Sequence, residues 1–270
     1  MGLIIVTVVK NDPDGLNHTL ASIGRQESHT RVLIMDGGST DTTLEVINRW
    51  QPSLAMEVES QPDSGPYDAM NKAIAKLEDD DLVWFINAGD ALVGDSALST
   101  ALEHTKAKDF RWGFGPHKVV ETTGEPRRTV RGQPFNIRNF AYGRTPICHQ
   151  AVVTRVSCLR DVGGFDLRYP IAADYRSLLL LGEKWQPKQW DDVLVEYRAG
   201  GISDRHLGTT IHEQGRARRE ILKPQGVPMI LDYLYSAKRL LRNHARQILV
   251  STGMNPTRLI PRANRKALEE

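Results

Sequence analysis

The sequence predicts an α/β protein: a Rossmann-like, mostly parallel central sheet flanked by helices, followed by a C-terminal helical extension. Three observations lead there. Short β-branched or continuously apolar runs stand at residues 3–9, 31–35 and 81–86, as expected of strands buried on both faces. Strand, polar loop and helix recur three times before residue 91, the alternation of a parallel sheet with covering helices. Beyond residue 205 the chain turns basic and amphipathic, which sets an appendage apart from the sheet.

The first strand, 3–9, ends in the turn-forming Lys10-Asn11-Asp12-Pro13-Asp14-Gly15, and a helix with Leu16, Leu20 and Ile23 on its apolar face follows. The second strand breaks at Asp36-Gly37-Gly38-Ser39-Thr40-Asp41. Here the two glycines would let backbone approach a ligand closely, and Ser39 or Thr40 would cap the helix of Leu44, Val46 and Ile47. Next come a carboxylate-rich turn starting at Glu59, another helix, and the run Leu82-Val83-Trp84-Phe85-Ile86, which stops at Asn87-Ala88-Gly89-Asp90. Ligands of open α/β sheets bind beyond the carboxyl ends of the strands. Asp90 is therefore expected where a ligand sits, as an anchor for a hard cation. An Asp that merely closes a turn is the competing reading, and for this residue alone it is the stronger one.

Composition narrows the classes. A chain of 270 residues, 40% hydrophobic and 25% charged, can bury one substantial core and carry an appendage. The two cysteines, Cys148 and Cys158, form no disulfide framework and have no paired metal-site spacing, so a reducing cytoplasm is expected and zinc is not. The apolar opening lacks a basic leader and runs straight into turn residues, so it reads as a strand rather than a signal peptide. No apolar segment is long enough to cross a bilayer. A dinucleotide-binding G-x-G-x-x-G after the first strand and a P-loop are both missing. Basic charge without a recognised module with interleaved aromatics does not make a nucleic-acid binder.

Five segments, in order, carry a family resemblance: the first strand ending Thr-Val-Val-x-Asn, the DGGSTD turn at 36–41, D-x-G-x-YDAMN-x-x-I at 63–74, NAGD at 87–90, and GGFDLRYPIAADY at 163–175. Together the chain resembles a family 2 glycosyltransferase of GT-A fold over roughly its first 205 residues. The resemblance implies a domain at 1–205, with a nucleotide-sugar half at about 1–95 and an acceptor half at 96–205, and an extension at 206–270. It implies an inverting transfer of sugar from a nucleotide-diphosphate sugar to a hydroxyl of a glycan or lipid-linked acceptor, in cell-surface polysaccharide or glycolipid biosynthesis.

Residue by residue, the same resemblance points to Thr7, Val9, Asn11 and Asp36 for the nucleotide, with Asp63, Gly65, Asp68 and Asn71 lining that pocket. Asn87, Ala88 and Gly89 would lie against the donor, and Asp90 would be the ligand of Mg²⁺ or Mn²⁺. Asp174 matches the base that deprotonates the acceptor, and His149-Gln150 lies on the acceptor side. The chemistry fits these residue types. A cation steadies the departing diphosphate, and an alcohol needs a positioned base.

Departures exist: Asp36 is followed by Gly37 where many relatives have a second acid, Asn87 replaces the first acid of the metal motif, and Ala173 precedes the base. A sugar nucleotidyltransferase and a catalytically silent nucleotide-sugar-binding subunit are the alternatives. Asp41 reads as a turn residue, Asp174 could simply open a helix, and residues 78–81 read as a solvated connection. Arg127, Arg128, Arg131, Arg138 and Arg144 could meet an anionic acceptor, although solvated loop arginines are the plainer reading.

Residues 205–270 hold thirteen Lys/Arg against five Asp/Glu, hence +8, leaving −6 for the rest of a chain whose total is +2. A helix over 229–250 places Leu231, Leu234, Leu241 and Ile248 among Lys238, Arg239, Arg242 and Arg246. Two outcomes are open: the apolar face packs on the protein, or it lies on an anionic membrane surface at the inner face of the membrane. A homo-oligomer is a further expectation for the protein.

Overall fold

The structure is a computed structural model that describes residues 2–251 apart from 122 and 132. It divides into two units, residues 1–201 and 202–270.

The first unit is built on a seven-stranded sheet. Its strands are β1 (Leu3–Val9), β2 (Arg31–Asp36), β3 (Met56–Ser60), β4 (Leu82–Phe85), β6 (Trp112–Phe114), β9 (Val152–Arg155) and β10 (Lys188–Gln189). Their order is β10-β6-β9-β4-β1-β2-β3. β1 pairs in parallel with β2 and β4, and β2 with β3. Crossover helices α1 (Pro13–Gly24), α2 (Thr43–Trp50) and α3 (Pro66–Lys76) join these strands, as parallel pairing requires. Every residue of β1 and β4 is buried. These strands form the core with Leu16, Leu20, Ile23 and Ile47 of the covering helices.

β9 alone runs against its neighbours, antiparallel to both β4 and β6. This reversal matters for function, because the residues leading into β9 lie at the edge where β1 and β4 end. A second sheet, of order β5-β11-β7-β8, combines β5 (Ala91–Leu92), β7 (His117–Val120), β8 (Pro126–Val130) and β11 (Val195–Arg198). It carries Arg198 back to the turn after β4, since β11 pairs with β5 in the antiparallel sense.

Several expectations change in detail. β3 was not foreseen as a strand: its residues alternate between half-buried and exposed at the sheet edge, so it lacks the continuous apolar run. Ser39 and Thr40 do not cap α2. The N-cap is Thr42, without a side-chain hydrogen bond, and Asp41 just before it forms a turn, accepting from the Thr43 backbone N–H at 3.0 Å. Asp81 is buried rather than solvated, because its carboxylate accepts the backbone N–H groups of Gly2 and Glu78. Arg127 and Arg128 lie on β8, which is exposed along its first four residues.

The second unit contains α8 (Ile202–Arg205), α9 (Leu207–Leu222) and α10 (Val227–Ser251). The side chains of 246–251, including Arg246 and Ile248, lie outside those described. Among the described residues no helix is long and apolar enough to cross a membrane.

Candidate active site

The carboxyl ends of β1, β2 and β4 lie side by side along one edge of the sheet. Asn11, at φ 51°, is held there from two sides: its N–H donates to Ser39 Oγ at 2.8 Å, and its Oδ1 accepts the Thr40 N–H at 2.8 Å. Asp36 is buried and accepts from the Ser39 backbone and hydroxyl and from the Ser60 hydroxyl. Its carboxylate therefore organises the loop from within. Asp63 approaches from the other side. A Cβ on Gly37 would stand 2.5 Å from Asp63 Oδ2, so only glycine admits this carboxylate. Its other oxygen accepts the Gly65 N–H at 3.0 Å. Thr7 and Val9 are buried in β1, and Thr7 Oγ1 has no hydrogen-bond partner among the described residues.

The Asn87–Asp90 turn is fastened from below by Thr19 of α1. The Thr19 hydroxyl lies 2.7 Å from the Asp90 carbonyl and accepts the Gly89 N–H at 3.0 Å. Asp90 Oδ1 accepts the backbone N–H of Arg198 at 2.9 Å, and the Gln150 side chain also bonds to this carboxyl. Burial is the larger effect and raises the Asp90 carboxyl from 3.8 to about 7.

The sign of the resulting pH dependence follows. Between these values the folded chain keeps a proton that the unfolded chain has released, so stability falls as pH rises from 3.8 to about 7 and levels off above. Asp90→Asn is expected to flatten that slope in a series of Tm measurements against pH. An unchanged slope would assign it to another group.

A divalent cation suits the oxygen donors of this turn. Among the described residues Asn87 Oδ1 is buried without a hydrogen-bond partner, and burial disfavours the charged form of the neighbouring Asp90 carboxyl, a cost that a cation would relieve. Among the described residues there is no cluster of three metal-ligating side chains. The fit is thus to a Mg²⁺-like ion that takes its remaining ligands from phosphate and water.

Sequence reading missed Arg198. Its Nε is buried without a hydrogen-bond partner among the described residues, and its charge acts on the Asp90 carboxyl. The side chain runs over Gly89, where an added Cβ would meet Arg198 Cδ at 3.7 Å. No local signal marks this arginine, because it reaches the turn through the second sheet.

Asp174 lies in the first turn of α7 (Ala173–Lys184). Its Oδ1 accepts the Tyr175 N–H at 2.7 Å, and the Tyr67 hydroxyl lies 2.9 Å from both that oxygen and the Ile171 carbonyl. A small pocket beside it is lined by Phe85, His149, Phe165, Asp174, Ser177 and Leu178, among others. His149 stacks on Phe85 with ring centroids 5.3 Å apart and meets the edge of Phe165. Burial lowers its pKa, only partly countered by Asp174, which favours the neutral ring, and among the described residues its buried Nε2 has no hydrogen-bond partner.

Asn71, expected at the donor, instead fastens the loop before Asp174. Its amide bonds both the N–H and the carbonyl of Phe165, at 2.9 and 2.7 Å, and Gly164 is small enough to let it in. Asp68 likewise serves its own turn, accepting the Ser64 N–H and pairing with Lys72. Asp90 does not line the Asp174 pocket. Both carboxylates act on the segment before β9, where burial first, then Asp90 and Asp174, push the Cys148 thiol up.

Residues 4–162 match Glycosyl transferase family 2. An uncharacterized glycosyltransferase of Mycobacterium tuberculosis is 34% identical over 204 residues, covering 73% of this chain and 75% of its own. A PGL/p-HBAD biosynthesis glycosyltransferase of Mycobacterium bovis is 28% identical, over 58% of this chain and 60% of its own.

Among solved structures, S. aureus TarS 1-349 in complex with UDP-GlcNAc has a TM-score of 0.64 at 16% identity, covering 90% of this chain and 72% of that one. Mannosyltransferase PcManGT from Pyrobaculum calidifontis, in complex with GDP-Man and Mn²⁺, has a TM-score of 0.61 at 16% identity, covering 98% and 79%. These likenesses establish the GT-A fold. The chain belongs to glycosyltransferase family 2.

Proposed function

We propose that this glycosyltransferase moves a sugar from a nucleotide-diphosphate sugar to a hydroxyl of a glycan or lipid-linked acceptor, with inversion at the anomeric carbon. The observation that carries the reading is Asp174: a carboxylate oriented by Tyr67 and its own helix, facing a pocket that also holds His149, whose burial favours the neutral ring. Such a group accepts the acceptor proton as the new bond forms. An acceptor in cell-surface glycan or glycolipid assembly is supported by the relatives named for PGL/p-HBAD biosynthesis. A nucleotide-sugar donor is supported by the solved relatives bound to UDP-GlcNAc and GDP-Man.

On the donor side, Asn11, Asp36 and Asp63 would shape the nucleotide site, and Asn87 with Asp90 would hold Mg²⁺ or Mn²⁺. When bound, the ion supplies charge neutralisation at the leaving diphosphate. Arg198 adds a fixed positive charge and free N–H donors above the same turn. Arg198→Ala should weaken nucleoside-diphosphate binding about 10- to 100-fold, the worth of a charge-assisted hydrogen bond or two. Binding of the unphosphorylated nucleoside should stay unchanged. Calorimetry with both ligands checks this, and equal losses for the two would remove Arg198 from the diphosphate.

The reading as a whole is tested by a thermal-shift panel of nucleoside diphosphates and nucleotide sugars, with and without Mn²⁺, because a ligand that binds only the folded chain raises its stability. Stabilisation by one base selects the donor. No stabilisation by any of them would overturn the proposal.

A further inference from the structure

In the second unit, α9 and α10 pack through polar side chains. Asp232 of α10 is fully buried between two arginines of α9: Arg218 Nε donates to its Oδ1 and Arg219 Nη1 to its Oδ2, each at 2.7 Å. Arg218 also donates to Ser236 Oγ at 2.8 Å, and Arg239 to Gln214 Oε1 at 2.8 Å. The helices come close at Gly215, where a Cβ would stand 2.9 Å from Ser236 Oγ. Asp232, Ser236, Arg239 and the buried Asn243 recur at intervals of three to four residues, so they form one stripe of α10, the packed one.

The opposite stripe is apolar and outward. Val227, Ile230, Leu231, Leu234 and Leu241 also follow the helical period, and they are 57–71% exposed. An ordinary surface helix does the reverse, burying its apolar stripe and wetting its polar one. This helix is inverted, and a run of large exposed aliphatic side chains on one face marks an interaction surface.

Charge decides what covers it. Lys238 and Arg242 are exposed, one and two turns beyond Leu234, Lys238 within the outward face and Arg242 at its edge. The segment 205–270 carries +8 while the rest of the chain carries −6. A second copy laid face to face on α10 would bring the same positive field. A nucleic acid would satisfy the charge and leave the aliphatic stripe in water. An anionic bilayer answers both, with headgroups for the lysine and arginines and acyl chains for the leucines. No described helix is long and apolar enough to cross, so the arrangement is that of a helix lying in the membrane plane.

We propose that the outward face of α10 seats this protein on an anionic lipid surface. The inference does not depend on the assignment of donor or base.

The test uses the full chain in co-sedimentation with vesicles of phosphatidylcholine alone and of phosphatidylcholine with phosphatidylglycerol. Binding is expected to the anionic vesicles and to fall as salt rises. Leu231→Asp with Leu234→Asp should reduce the partition coefficient about tenfold or more, and Lys238→Glu with Arg242→Glu should do likewise. All four positions are exposed, so the variants should fold, and a native circular-dichroism spectrum with an unshifted Tm confirms that they do. No binding to anionic vesicles at low salt overturns the proposal. So does binding that both leucine changes leave intact. A soluble dimer in sedimentation velocity that Leu231→Asp with Leu234→Asp dissociates would assign the face to a second copy and overturn it as well.

Discussion

Asp174→Asn is expected to lower kcat by about 10²- to 10⁴-fold, the usual worth of a positioned general base, with donor affinity essentially unchanged. The substitution is nearly isosteric. An amide oxygen at this site still accepts the Tyr175 N–H and still faces the Tyr67 hydroxyl, so α7 and the pocket should keep their geometry. What is lost is basicity. Steady-state kinetics should therefore show a fall in kcat, and calorimetry should show nucleoside-diphosphate binding within about twofold of the parent. A silent nucleotide-sugar binder would show no turnover in either protein. Full turnover in the variant would move the base elsewhere.

The second large effect concerns stability. Asp232→Ala leaves the guanidinium of Arg218, only 1% exposed, without its carboxylate. Removing one partner of a buried ion pair costs about 3–5 kcal/mol, because the surviving charge remains out of water. Hydrogen exchange across α9 and α10 should accelerate sharply in this variant, and limited proteolysis should cut there first. Nucleotide binding should be spared, since every residue assigned to the donor lies in the first unit. Replacing both Arg218 and Asp232 by apolar residues of similar volume should cost far less than the single change. A single variant as protected as the parent would show that this pair is dispensable.

Much of the first unit was legible in sequence because its central strands are buried on both faces. β1, β2 and β4 are unbroken apolar runs that end in turn residues, and burial on two sides leaves no other composition open to them. β3, at the edge, has one face in water and reads as a polar segment. The second sheet was invisible for another reason. Its strands have two to five residues, and although β7 and β8 form a local hairpin, β11 joins them and β5 across more than seventy positions, as Glu196 does with Lys118, so no local window contains the whole sheet.

The site divides the same way. Asp174 was found by its motif, and the structure gives it a pocket and two partners. Asp90 is expected from sequence as a cation anchor, and in the structure it also ties down the N–H of Arg198, 108 positions away. Asn71 was assigned to the donor from its motif, whereas its amide is spent on Phe165. Arg198 and Thr19 act through contacts that only folding creates. In α10 the sequence revealed two faces, but which one would be packed depended on Arg218 and Arg219 of the neighbouring helix.

The reversed direction of β9 leaves one more imprint. Because this strand begins, rather than ends, at the edge where β1 and β4 end, the chain can wander between Val120 and Cys148 and still be delivered to the same point beside Asn87. Among the described residues none in that stretch pairs with β1, β2 or β4, so insertions or deletions there are expected to leave that ladder in place. The architecture thus offers evolution a replaceable cassette next to a fixed chassis, and homologues should differ most in length there.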